Sequence, residues 1–139
     1  MVLRIGAWAR AMLERPRAFA TLATISADGS PLQAVVWFTL RGDSILVNSK
    51  AGRRWPENLI RDPRFGLIVE DSYDYVAVRG TAELLHDPAQ AQADIAAMAR
   101  RYHADDPDRA ERLIRDDFER QERISFLLHP SAVTEHPDR

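Results

Sequence analysis

The sequence predicts a mainly β protein with added helices, an α+β fold in which a small antiparallel barrel carries helical segments. Strand-like segments follow one another through short turns, and the chain lacks the regular strand–helix alternation of a doubly wound sheet. The length of 139 residues suits one compact core, so we expect residues 1–139 to form a single domain.

Six segments predict strands because they are rich in β-branched, aromatic and alternating apolar residues. They are residues 19–25, 32–40, 44–49, 65–69, 73–85 and 124–128. Asp28-Gly29 between the first two segments indicates a hairpin turn. Gly80 within the fifth segment predicts a bulge or bend.

Helices are predicted at three places. Residues 1–16 have apolar positions near helical spacing, and residues 53–61 lack strand alternation and run into Asp62-Pro63, where a helix ends readily. Asp87-Pro88 and Asp106-Pro107 each combine an N-cap residue with proline at the first helical position. Two helices within residues 88–120 are therefore expected as an insertion before the last strand.

Composition excludes several classes of function. A net charge of −2 argues against a general nucleic-acid binder, and the absence of cysteine removes disulfides and thiolate chemistry. The four histidines show no metal-ligand spacing, so we expect no metal site. The chain has neither an apolar run of about 18 residues nor a signal peptide, which predicts no membrane association and a cytoplasmic location.

A local basic stretch contrasts with the acidic balance of the whole chain. Positions 50 to 64 contain only two acidic residues, Glu57 and Asp62. The same segment contains five basic residues, namely Lys50, Arg53, Arg54, Arg61 and Arg64. Guanidinium groups match phosphate oxygens, and a helix starting near Arg53 would add its free amides. The stretch therefore predicts a phosphate site, or alternatively a solvated turn whose arginines pair with acids elsewhere.

The segment 32–40 is apolar on both faces. Val36 and Phe38 lie on one face, which can fill the barrel, whereas Val35 and Trp37 lie on the other. The second face needs a cover, which could be a partner subunit, a flat aromatic ligand or the protein's own helices. The alternating charges of residues 109–123 instead indicate helix-face ion pairs, and we assign them no function.

Three segments, taken in order, resemble one known family: ATISADGSP at 23–31, GRRWPENLIRDPR at 52–64 and VRGTAE at 78–83. The family is that of the pyridoxamine 5′-phosphate oxidase-like split barrels, in particular the actinobacterial branch that uses the deazaflavin coenzyme F-420. The resemblance implies a six-stranded antiparallel Greek-key split β-barrel of the FMN-binding-protein-like type. It also implies a homodimer with two cofactor sites at the subunit interface.

The resemblance also implies roles for individual residues. Arg53 and Arg54 match residues that hold the cofactor phosphate, and Asn58 matches an asparagine that orders the short helix. Two strand segments match those beside the cofactor ring: Val35, Val36 and Trp37, and Val47, Asn48, Ser49 and Lys50. Trp55 departs from the family pattern, because many members carry a lysine at or next to this position.

The function implied by the resemblance is that of an oxidoreductase in which reduced coenzyme F-420 passes hydride to a small unsaturated molecule. The resemblance identifies no catalytic side chain. One alternative is an FMN-dependent reductase of the same fold. Another is a protein that binds a flavin, haem or other small ligand without turnover.

Overall fold

The computed structural model describes residues 3–138, so the sequence predictions for residues 1, 2 and 139 lie outside the described residues. The strands are β1 Ala20–Ile25, β2 Pro31–Val36, β3 Thr39–Arg41, β4 Ser44–Lys50, β5 Arg64–Asp71, β6 Asp74–Leu85 and β7 Arg123–His136. The helices are α1 Ala7–Leu13, α2 Arg54–Arg61, α3 Pro88–Tyr102 and α4 Pro107–Asp116, followed by a 3-10 turn at Phe118–Arg120.

All strands form one antiparallel sheet in the order β2-β1-β5-β6-β7-β4-β3. Its two edge strands, β2 and β3, are consecutive in the chain and are joined only by Trp37 and Phe38. Three Cα–Cα steps span at most about 11 Å, so the sheet must curl until its edges nearly meet. The result is a barrel that is open between β2 and β3, which confirms the predicted fold class.

Residues 3–138 form seven strands, so the predicted count of six is wrong. The single strand expected over residues 32–40 is interrupted at Trp37 and Phe38. The backbone of Phe38 finds its partners in α3: its N–H donates to the Tyr102 hydroxyl at 3.1 Å, and its carbonyl accepts from Arg101. Because these tertiary bonds satisfy the peptide groups, the chain can leave one sheet edge and enter the other.

The main core fills the barrel interior. Inward-facing residues of the strands pack with α1 and α2, among them Leu13, Leu22, Phe38, Val47, Leu59 and Phe126. A second cluster lies outside the barrel, where Ile95 and Met98 of α3 pack on Leu46 of β4. Helix α3 therefore covers the outer side of β4, which explains why five successive residues of that strand are buried.

Most of the local sequence predictions are confirmed. Gly29 has a φ of +86° in the β1–β2 turn, and Asp87 and Asp106 cap α3 and α4 by accepting from Gln90 and Arg109 backbone N–H groups. A register shift at Gly80 is the predicted bulge, and a Cβ there would lie 1.9 Å from the His129 carbonyl oxygen.

Strand β7 is longer than the predicted segment 124–128. It continues through Pro130, which stands opposite Gly80 next to the bulge. Beyond Leu128, β7 pairs only with β6, and a proline without an N–H is tolerated at such an edge. Within residues 3–138, the structure has no helix long and apolar enough to cross a membrane.

Candidate functional site

A cavity of about 380 Å³ lies beside the opening of the barrel. It is bounded by the β2–β3 bend, the paired ends of β4 and β7, the start of α2 and the helical insertion. Its lining residues are Val35, Val36, Trp37, Asn48, Ser49, Arg53, Trp55, Ile95, Asp117, Phe118, Gln121 and Arg123.

Seven of the residues predicted from the sequence line this cavity: Val35, Val36, Trp37, Asn48, Ser49, Arg53 and Trp55. The other predicted residues do not. Val47 is fully buried in the barrel core, and Lys50 is exposed at the end of β4. Arg54 and Asn58 line a separate open groove of about 550 Å³ beside the β1–β2 turn. The adjacent residues Arg53 and Arg54 therefore line different concavities, the cavity and this groove.

Aromatic side chains form one wall of the cavity. Trp37 stacks on Tyr102 with ring centroids 5.0 Å apart and planes 7° apart, and the edge of Phe118 meets it at 6.4 Å. Trp37 is thus covered by the protein's own helices, one of the alternatives left open by the sequence. Val35 on the same strand face remains 71% exposed.

Trp55 is 7% exposed and packs against Phe126 with 6.0 Å between ring centroids. It supplies apolar surface to both the core and the cavity.

Two arginines of the basic stretch are committed to contacts within the protein. Arg64 donates to Asp62 at 2.7 Å, and these hydrogen bonds lower the pKa of Asp62 to about 2. Arg61 donates to the Asn58 side chain at 2.7 Å and to the Ile25 carbonyl at 2.8 Å. Arg53, by contrast, has no hydrogen bond or ion pair from its side chain to any residue between 3 and 138, and it lines the cavity.

Arg123, at the start of β7, is the main site residue that the sequence predictions missed. It is 9% exposed, its Nε donates to Asn48 Oδ1 at 3.0 Å, and its Nη1 donates to Gln121 Oε1 at 2.7 Å. The guanidinium carbon lies 4.9 Å from the centre of the Phe118 ring. Burial lowers the pKa of Arg123 to about 10, and the positive charge of Arg53 contributes to the same shift.

The sequence placed Arg123 in a predicted pattern of helix-face ion pairs over residues 109–123. In the structure Glu111 of α4 pairs with Arg100 of α3, and Arg115 pairs with the adjacent Asp116, so neither ion pair runs along one helix face. Arg123 instead stands opposite Lys50 in the β4–β7 ladder. The sequence feature that could have revealed Arg123 is its position immediately before the last apolar strand, which places it at a strand end.

A chain of hydrogen bonds orients Asn48 toward Arg123. The buried carboxylate of Asp94 can only accept, so the Ser125 hydroxyl must donate its hydrogen to Asp94, at 2.8 Å. The Ser125 oxygen then accepts from Asn48 Nδ2 at 2.9 Å, and Asn48 Oδ1 faces Arg123. Arg41 and Gln90 also donate to Asp94, at 3.1 and 2.8 Å, which holds this carboxylate in place.

The remaining cavity residues come from the helical insertion and the turn after it. Ile95 lies on α3, whereas Asp117, Phe118 and Gln121 lie around the 3-10 turn. Sequence reasoning did not assign them to a site because nothing local shows which strands an inserted helix covers. A phosphate-bearing flat ligand fits this donor set, since the cavity joins aromatic surface to cations without carboxylate partners.

An antiparallel barrel that opens between two edge strands and holds a cavity at that opening has the architecture of a split-barrel protein. The family model described as pyridoxamine 5′-phosphate oxidase matches residues 7–130. The chain belongs to this family, which confirms the resemblance seen in the sequence.

Solved structures share the fold over almost the whole chain. A conserved hypothetical protein, Rv2991 from Mycobacterium tuberculosis, is 22% identical with a TM-score of 0.78, covering 97% of this chain and 86% of that one. A protein named F420 reductase is 24% identical with a TM-score of 0.73 and coverages of 94% and 98%. HutZ, a haem storage protein of Vibrio cholerae, is 16% identical with a TM-score of 0.70 and 96% coverage of both chains. No curated protein sequence matches the chain.

Proposed function

We propose that this protein is an oxidoreductase that uses reduced coenzyme F-420 to transfer hydride to a small unsaturated molecule. The observation that carries the proposal is the convergence of seven predicted residues, from three separate segments, on one cavity. Similarity in fold to a protein named F420 reductase supports the choice of deazaflavin. We retain the cytoplasm as the expected location.

In this proposal the chain binds and orients the cofactor. Val35, Val36 and Trp37 provide apolar and aromatic surface for one side of a tricyclic ring. Arg53 provides a cation for the phosphate, and a charge-assisted hydrogen bond of this kind contributes about 1.5–3 kcal/mol. Asn48 and Ser49, both buried at the end of β4, are fixed by the sheet and supply polar atoms at the ring edge.

When bound, reduced deazaflavin would supply a hydride to an electron-poor atom of the substrate, and a proton from solvent would complete the two-electron reduction. The protein's contribution is to hold the two reactants in contact and to limit water at the ring. The aromatic wall of buried Trp55 and half-buried Trp37 and Phe118 suits the second task. We assign no side chain as a proton donor.

We further propose a homodimer. Thr21 pairs with Val35 on one side and with Ile68 on the other, so these two exposed apolar side chains lie on one sheet face about 10 Å apart. A second copy of the chain would bury this face. Because Val35 also lines the cavity, the same contact would bring the partner subunit next to the cofactor.

An FMN-dependent reductase is the alternative within the same class, since FMN offers a similar ring and phosphate to the cavity. A haem-binding protein is the alternative from another class, because a haem storage protein shares the fold. In residues 3–138, however, the cavity lining contains no histidine, methionine or tyrosine, which are common axial ligands of haem iron. This composition favours a flavin-type ligand over haem.

Turnover is the test that separates an oxidoreductase from a binding protein. The purified protein is mixed with reduced deazaflavin and, in turn, an enone, a quinone and a nitroaromatic compound, and the return of oxidised deazaflavin absorbance is followed. We expect oxidation faster than without protein for at least one acceptor class. Oxidation only with reduced FMN would favour the FMN alternative. Tight binding of either cofactor without turnover of any acceptor would contradict the oxidoreductase proposal.

A further inference from the structure

Arg123 is a nearly buried cation without a carboxylate partner. Its side-chain hydrogen bonds go to the neutral oxygens of Asn48 and Gln121, and it takes part in no ion pair within residues 3–138. Taking a guanidinium out of water is costly, and a neutral amide oxygen offsets less of that cost than a carboxylate does. An arrangement of this kind is expected where a ligand brings the opposite charge.

The remaining donors of Arg123 are placed for such a ligand. Nε and Nη1 are engaged, whereas Nη2 has no acceptor among the described residues. No side-chain nitrogen or oxygen in the described chain is both buried and unpartnered, so Nη2 keeps accessible surface. The three groups that surround the guanidinium, from Asn48, Gln121 and Phe118, all line the cavity. Arg123 also lines a shallow groove beside Asp87, but none of these three neighbours lines that groove, so the charged end of Arg123 lies at the cavity wall.

A second cation stands close to the first. Arg53 lines the same cavity and is near enough for its charge to act on Arg123. Two neighbouring cations repel each other, and an oxyanion bound between them would attract both and offset this repulsion. Asp117 also lines the cavity, but its side chain is exposed and forms no ion pair with either arginine.

We propose that Arg123 binds an oxyanion of the ligand together with Arg53, so that the two guanidinium groups form the phosphate grip. This inference rests on the proposed function for the identity of the ligand, a phosphate-bearing cofactor. It replaces the pair suggested by the sequence, Arg53 and Arg54, because Arg54 lines the separate groove. Asn48 acts as a positioning residue, since its amide orientation is fixed by Ser125 and Asp94.

Inorganic phosphate is the probe that tests this grip apart from any cofactor. Its dissociation constant is measured by isothermal titration calorimetry for the wild-type protein and for Arg123→Gln, Arg123→Lys and Arg112→Gln. Arg112 is the control because it is exposed on α4 and outside the cavity. We expect at least about tenfold weaker binding for Arg123→Gln, a smaller loss for Arg123→Lys, which keeps the charge, and no change for Arg112→Gln.

Circular dichroism confirms that each variant is folded before titration, and Arg123→Lys keeps the test decisive if Arg123→Gln fails to fold. Equal phosphate affinity in the wild type and in the folded Arg123 variants would overturn the inference. Absence of phosphate binding to a wild-type protein that binds deazaflavin would also overturn it and leave the proposed function standing. Phosphate binding that depends on Arg123, without binding of deazaflavin or FMN, would support the grip and contradict the proposed function.

Discussion

The Tyr102 hydroxyl, at the end of α3, accepts a hydrogen bond at 3.1 Å from the Phe38 backbone N–H in the β2–β3 bend. The same hydroxyl donates to the Ala18 carbonyl just before β1, and its ring stacks on Trp37. Burial raises the pKa of the Tyr102 hydroxyl, which keeps it protonated and able to donate. One side chain at the end of α3 thus joins the β2–β3 bend to the segment before β1 and supports the aromatic wall of the cavity.

Replacing Tyr102 with phenylalanine should therefore destabilise the fold. The substitution leaves the buried Phe38 N–H and Ala18 carbonyl without this partner, and an unpaired buried group costs about 1–3 kcal/mol. Urea unfolding measures the change. Tyr73→Phe is the matched control, because Tyr73 is 73% exposed and its hydroxyl has no partner among the described residues. Equal stability of the two variants would show that the hydrogen bonds of the Tyr102 hydroxyl to Phe38 and Ala18 do not stabilise the fold.

Gly80 should tolerate no side chain. A Cβ at this position would lie 1.9 Å from the His129 carbonyl oxygen, so the bulge between β6 and β7 would have to open. We expect Gly80→Ala to lower the free energy of unfolding by several kcal/mol, roughly as backbone clashes in a packed sheet do. Gly66→Ala is the control, since its Cβ would meet only Ala23 Cβ at 3.8 Å. The prediction fails if thermal unfolding shows the two variants to be equally stable.

The exposed row of Val35 and Ile68 should be the contact between subunits. Ile68 is the better position to change, because it lies on this sheet face and does not line the cavity. Sedimentation velocity is expected to show a dimer for the wild type and a monomer, or a much weaker dimer, for Ile68→Glu. Tyr73→Glu introduces the same charge in the β5–β6 turn and should leave the dimer intact. A dimer unaffected by Ile68→Glu would place the interface elsewhere.

Local signals in the sequence predicted most elements of the fold. The Asp28-Gly29 turn, the caps Asp87 and Asp106, and the bulge at Gly80 each depend on a few neighbouring residues. The break between β2 and β3 could not be predicted in this way. It depends on Arg101 and Tyr102, more than 60 residues away along the chain.

The candidate site likewise contains residues that local sequence signals predict and residues that depend on distant parts of the chain. The basic residues could be located because they are close together in the sequence. The sequence did not show which concavity each of their side chains lines. Arg53 precedes α2 with extended backbone, whereas Arg54 is the first residue of the helix, and the two side chains line different concavities. Arg123 reaches the cavity only through the pairing of β7 with β4, and no local pattern reveals that pairing.

Equilibrium titration with deazaflavin, followed by its fluorescence, measures whether this cavity binds a deazaflavin through Arg53. The wild-type protein should bind coenzyme F-420 more tightly than FMN, and Arg53→Gln should weaken F-420 binding about tenfold or more. Arg54→Gln is the matched comparison, with the same change of charge at the adjacent residue and a markedly smaller expected loss. Wild-type affinity in Arg53→Gln, or no binding of deazaflavin to the wild-type protein, would contradict the proposed function of this cavity.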